Sequence, residues 1–61
     1  MTSSIRIALA DDQALVRAGL RALIERLGGI DIAFEADDGA ELLAQLALTP
    51  VDVVLSDIRM P

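Results

Sequence analysis

Ile5-Arg6-Ile7-Ala8-Leu9-Ala10 is a short, nearly continuous apolar run that stops at the acidic pair Asp11-Asp12. A run of that length with no polar alternation suits a strand buried on both faces, the kind found inside parallel sheets. Parallel neighbours need crossover connections, so the rest of the chain has to supply helices and further strands.

It does so in alternation. From Gln13 to Leu27 the period changes: Val16, Leu20, Leu23 and Leu27 fall at steps of four, three and four, one helical stripe, with Ile24 beside it. Arg21 and Glu25 form an i,i+4 pair on another face, and Gly28-Gly29 ends the helix. Ile30 to Glu35 alternates, as a half-exposed edge strand does. Asp38-Gly39-Ala40-Glu41 has the spacing of a capping box and opens a second helix through Leu48, with Leu42, Leu43, Leu46 and Ala47 as its apolar side. Thr49-Pro50 stops it. Val51 to Ser56 reads as a third apolar, β-branched strand, and residues 1–4 as a flexible N-terminus. Strand, helix, strand, helix, strand with short loops implies an α/β parallel sheet with right-handed crossovers.

Composition removes several classes of function. With 61 residues the chain is one small unit, and such a chain buries only about 60 % of its unfolded surface. It contains no Cys and no His, so disulfides, thiolate or imidazole metal sites and histidine-based triads are excluded. Five Arg against ten Asp and Glu give a net charge of −5, unsuited to gripping nucleic acid or an anionic membrane directly. Phe34 is the only aromatic residue, too few for base stacking. No apolar run reaches the roughly 18 residues of a membrane span. Gly28-Gly29 follows a helix rather than the first strand, so it is neither a dinucleotide fingerprint nor a P-loop.

The acids are placed unevenly. Asp11, Asp12, Glu35, Asp37, Asp38 and Asp57 all stand at or just after the end of a strand. In a parallel sheet those ends share one edge, where ligands bind at the point at which strand order reverses. If the first strand lies between the second and third, Asp11-Asp12 and Asp57 flank that crevice. So much negative charge costs stability unless a cation joins it, and an oxygen-only donor set favours Mg²⁺. Plainer roles compete: Asp11 or Asp12 as a cap for the first helix, Asp38 as the cap of the second, Asp57 as a turn residue, and Glu35 and Asp37 as solvated edge charges. Arg6 reads as a snorkelling rim residue, and Arg17 and Arg21 as a solvated helix face.

These residues together resemble a known family. The acidic pair closing the first strand, the strand Val53-Val54-Leu55-Ser56 running into Asp57, and Asp57-Ile58-Arg59-Met60-Pro61 after it are similar to the first half of a bacterial response-regulator receiver domain, over residues 5–61. The stretch from Asp11 to Leu20 also resembles the subfamily with a LuxR-type (NarL/FixJ-like) helix-turn-helix output, although Gln13 stands where that subfamily usually has His. The resemblance implies a partial flavodoxin-like doubly wound sheet of strand order 2-1-3. It implies that Asp57 is the phosphoacceptor for a sensor histidine kinase. Asp12 would bind Mg²⁺ (or Mn²⁺) directly, with Asp11 nearby, Asp57 also a ligand, and the backbone carbonyl of Arg59 supplying another oxygen. It further implies a cytoplasmic, non-enzymatic phosphoprotein whose complete form regulates transcription.

Against the family pattern, the chain has no Lys, and the later strands that carry a Ser or Thr and a Lys are not found before Pro61. DNA would be reached only through an output domain outside residues 1–61. The competing expectation is a non-signalling fragment that mainly self-associates through its third strand. A haloacid-dehalogenase-type hydrolase ranks below both, because its second Asp is required where Arg59 stands.

Overall fold

The computed structural model describes residues 4–57. Strand β1 (Ile5–Asp11) leads into helix α1 (Ala14–Leu27), followed by β2 (Ile30–Ala36), α2 (Gly39–Leu48) and β3 (Val53–Asp57). The strands form one parallel sheet in the order β2-β1-β3, as the resemblance implies.

The apolar run is central for the reason its composition suggests. Ile7, Ala8, Leu9, Ala10 and Asp11 are all buried, with a strand on each side and helix contacts from both α1 and α2. Ile24, Ala36 and Gly39 are buried as well. The β1–β2 register slips between Ile7 and Ala8: Ile32 pairs with Ile7 but Phe34 with Ala8, so Ala33 is the extra residue of a bulge. The β1–β3 register is unbroken from Ile7–Val53 to Asp11–Asp57.

Three local expectations are corrected. The helical stripe of Val16, Leu20, Leu23 and Leu27 does not face the sheet squarely; Leu23 and Leu27 are 57 % and 69 % exposed, while Ile24 is the buried residue of α1. Arg17 and Ile24, two turns apart, define the inward line, and the leucine stripe lies about a quarter-turn round the helix from it. In α2 the half-buried positions are Leu42, Gln45 and Leu46, whereas Leu43 and Ala47 are exposed. The third strand starts at Val53 rather than Val51, because Asp52 is occupied in a different arrangement. Its N–H donates to the Arg6 carbonyl at 2.7 Å, and its Oδ2 accepts from the Arg6 N–H at 2.9 Å. That reciprocal pair pins the start of β3 to β1.

The helix ends behave as read. Gly28 and Gly29 have φ of 74° and 76°, a region open to glycine but costly for other residues, and they turn the chain from α1 into β2. The Gly29 carbonyl then accepts from the Ile5 N–H at 3.0 Å. Asp38 caps α2, its Oδ1 accepting from the Glu41 N–H at 2.7 Å.

Candidate functional site

The parallel order brings the carboxyl ends of β1, β2 and β3 to one edge, and with them Asp11, Glu35 and Asp57. Asp11 and Asp57 are register partners on adjacent strands. Paired residues of neighbouring strands point to the same face, about 4.8 Å apart along the hydrogen-bonding direction. Asp57 is exposed at the end of its strand, beside a small groove of about 160 Å³ lined by Leu9, Ala10, Leu20, Leu55 and Ser56. An approaching group therefore meets an open carboxylate with an apolar wall behind it.

Asp11 is a different kind of acid. It is 1 % exposed, its Oδ1 accepts from the Gln13 N–H at 2.8 Å, and its Oδ2 is buried with no hydrogen-bond partner among the described residues. The bond to Gln13 closes an Asx-type turn leading into α1, with Asp11 two residues ahead of the N-cap position rather than in it. Gln13 itself occupies the N-cap position and makes no side-chain cap. Asp12 follows, exposed, at the turn between β1 and α1.

An unpaired, buried carboxylate oxygen is costly, and an ordered water or a hard cation relieves it. The acids that share this edge, Asp11, Asp12 and Asp57, offer oxygen donors only. These residues fit a divalent cation of the Mg²⁺ type, which keeps several waters and needs only one or two carboxylates. Asp11, Asp12 and Asp57 share the edge without forming a closed cage. Among the described residues, the acids whose oxygens gather within 4.8 Å of one another are Asp37, Asp38 and Glu41, all exposed. There the Glu41 carboxyl is held above its ordinary value of 4.5, first by a hydrogen bond with Asp37 and then by the charge of Asp37. Arg59 lies outside the described residues.

Arg17 and Glu35, expected as solvated charges, are engaged beside this edge. Arg17 is only 19 % exposed; its Nη1 donates to the backbone carbonyl of Asp11, and its Nε lies 3.2 Å from Glu35 Oε1. Arg21 reaches Glu35 Oε2 at 3.1 Å and Glu25 at 3.6 Å, the second being the expected i,i+4 pair. Glu35 is thus an ion-pair partner rather than a free edge charge. The signal was present in part: Arg17 stands four residues after Gln13 and seven before Ile24, on the helix line that meets the sheet.

The family model for the response regulator receiver domain matches residues 7–61. The chain belongs to that family. Over 57 residues the receiver is 46 % identical to the uncharacterized transcriptional regulatory protein YxjL of Bacillus subtilis, covering 93 % of this chain and 26 % of that protein. It is 42 % identical, over the same shares, to the response regulator UvrY of Escherichia coli K12. It is also 40 % identical over 60 residues to a protein-glutamate methylesterase/protein-glutamine glutaminase of Paramagnetospirillum magneticum, covering 98 % of this chain and 16 % of that protein. The chain therefore spans about a quarter or less of the relatives it matches. A transcriptional regulator and a response regulator among these matches agree with the subfamily resemblance of Asp11 to Leu20. No helix of the described receiver is long and apolar enough to cross a membrane.

Proposed function

We propose that this receiver accepts a phosphoryl group on Asp57 from the phosphohistidine of a sensor kinase, in a reaction that requires Mg²⁺ or Mn²⁺ held by Asp12 and Asp11. The observation that carries the reading is the pairing of an exposed Asp57 with a buried, incompletely satisfied Asp11 at the carboxyl edge of a parallel sheet. A carboxylate oxygen of Asp57 attacks phosphorus in line, the P–N bond to the kinase imidazole breaks, and an acyl phosphate forms on Asp57. The imidazole leaves with the electron pair of that bond, and a proton already carried on its other nitrogen makes the departing ring neutral.

The residues of the chain divide the work. β3 delivers Asp57 to the edge in fixed register with Asp11, so the nucleophile cannot slide along its strand. Leu9, Leu20 and Leu55 form the apolar side of the groove beside the acceptor. Asp11, fixed through Gln13, and Asp12, at the mouth of the turn, supply the negative charge that attracts a divalent cation. When bound, that cation neutralises charge on both the acceptor carboxylate and the phosphoryl oxygens, without which the two anions repel. By the family resemblance, the backbone carbonyl of Arg59, outside the described residues, would supply a further oxygen. On this reading the chain is a cytoplasmic signalling module rather than an enzyme with turnover. Transcriptional control belongs to a DNA-binding part of the whole protein, because a receiver of net charge −5 does not grip DNA.

The test is phosphotransfer from a cognate kinase, or from acetyl phosphate, with and without Mg²⁺. Wild type is labelled only with the metal; Asp57→Asn is unlabelled and Asp12→Ala strongly impaired. Stoichiometric labelling of Asp57→Asn overturns the assignment.

One feature favours a second behaviour for the 61-residue polypeptide by itself. β3 has a neighbour on one side only among the described residues, and Val53, Val54 and Leu55 are 47 %, 39 % and 45 % exposed. An apolar strand edge without Lys or Pro invites pairing with another copy. Sedimentation of the isolated polypeptide is expected to show concentration-dependent association that strengthens with salt; a folded monomer at every concentration refutes it.

A further inference from the structure

We infer that Arg17 is a positioning residue for the divalent-cation site: by holding the carbonyl of Asp11 it sets the direction in which Asp12 leaves the end of β1. The inference rests on the reading of Asp11 and Asp12 as the cation-binding pair and adds a residue to it.

Three hydrogen bonds form a closed circuit at this turn. The Gln13 N–H donates to Asp11 Oδ1 at 2.8 Å, the Arg17 N–H donates to the Gln13 carbonyl at 2.9 Å, and Arg17 Nη1 returns to the Asp11 carbonyl. The circuit ties the last residue of β1 to the first turn of α1 through both main chain and side chain. The Asp11 carbonyl belongs to the peptide that joins Asp11 to Asp12. Fixing that oxygen fixes the peptide plane, and so the direction of the bond on which Asp12 is carried. Asp12 makes no side-chain hydrogen bond among the described residues, so its backbone is the element that aims it.

The guanidinium is itself anchored. Its Nε lies 3.2 Å from Glu35 on β2, and Glu35 is held in turn by Arg21 at 3.1 Å. Arg17 and Glu35 are 19 % and 26 % exposed, so the pair is partly screened from water. The planar guanidinium faces the carbonyl and the carboxylate from fixed directions; an ammonium on a flexible stem keeps the charge and three donors but not the rigid fork. The charge of Arg17 is also largely offset by Glu35. Repulsion of an incoming cation is therefore the smaller effect, and loss of geometry the larger.

Positioning and repulsion predict opposite signs. If Arg17 acts mainly as a positive charge near the site, Arg17→Gln tightens Mg²⁺ binding and Arg17→Lys leaves it unchanged. If it positions the turn, both variants weaken binding, by about 10-fold, the lower end of what loss of an outer-shell partner costs a metal site. Glu35→Gln, which keeps an acceptor but not the ion pair, weakens it less and in the same direction.

The experiment is a Mg²⁺ titration of the protein followed by NMR shifts of the residue 11–13 amides, with thermal unfolding in EDTA run alongside. The expected result is weakened binding in Arg17→Lys and Arg17→Gln with the fold retained. Unchanged or tighter binding in both overturns the inference while leaving the metal site standing. If Arg17→Gln fails to fold, Arg17→Lys and Glu35→Gln carry the test on the same criterion. Absence of Mg²⁺ binding in the wild type overturns the metal reading itself, and this inference with it.

Discussion

Replacing Asp11 by Asn is expected to stabilise the protein without metal and destabilise it with metal. Asp11 is 1 % exposed and its Oδ2 has no partner among the described residues, so the folded chain carries a buried, half-satisfied carboxylate. Such a group costs about 1–3 kcal/mol, and more when charged. Asn retains the acceptor for the Gln13 N–H but places an amide nitrogen, also unpaired, where Oδ2 was, so only part of that cost is recovered. A gain of about 1 kcal/mol in EDTA follows. With Mg²⁺ at about 100 times its dissociation constant, the wild type gains about 2.7 kcal/mol by mass action, and the variant, short of one ligand charge, gains much less. The order of stability therefore inverts on adding the ion, by about 1–2 kcal/mol in favour of wild type. Urea unfolding of both proteins, in EDTA and in saturating Mg²⁺, measures all four values. An Asn variant less stable than wild type in EDTA shows that Oδ2 is satisfied and that the tension assigned to this edge does not exist.

Asp38→Ala removes the side-chain acceptor for the Glu41 N–H and should cost about 1 kcal/mol in urea unfolding, with most of the loss recovered in Asp38→Ser. Leu9→Ala empties the largest apolar position of the central strand and should cost about 2–5 kcal/mol, read as a lower midpoint at unchanged slope. The raised carboxyl of Glu41 means that the folded state holds its proton more tightly than the unfolded one. Its contribution is therefore most favourable at low pH and declines as pH rises from the ordinary value of 4.5 through the raised one; Glu41→Gln should flatten stability over that window, and an unchanged pH profile refutes the assignment.

What was legible in the sequence follows from which forces are local. The first strand, the turn at Gly28-Gly29 and the Asp38 cap are set by composition and spacing within a few residues, and the structure repeats them, although burial of the strand begins at Ile7 and Ile5 is half exposed. The strand order, and with it the placing of Asp11 beside Asp57, was legible only through the family resemblance, because right-handed crossovers fit an order of 1-2-3 as well as 2-1-3. The inward line of α1 was not. Hydrophobic period favours the leucine stripe, yet the helix turns Arg17 and Ile24 to the sheet because Arg17 finds the Asp11 carbonyl and Glu35 there. That preference comes from a strand eighteen residues further along the chain, which no helical pattern encodes. The same holds for Asp52, whose partner Arg6 lies at the other end of the chain. Asp11 itself was legible as an acid at a sheet edge, but not as the buried one of the pair.

The central claim is that Asp57 is the residue that takes the phosphoryl group. Mapping it directly requires phosphorylating the protein in the presence of Mg²⁺, trapping the acyl phosphate by borohydride reduction, and locating the reduced residue by peptide mass spectrometry. The account predicts a single modified position, Asp57, absent when Mg²⁺ is withheld. Modification at Asp11, Asp12 or another carboxylate, with Asp57 untouched, contradicts it.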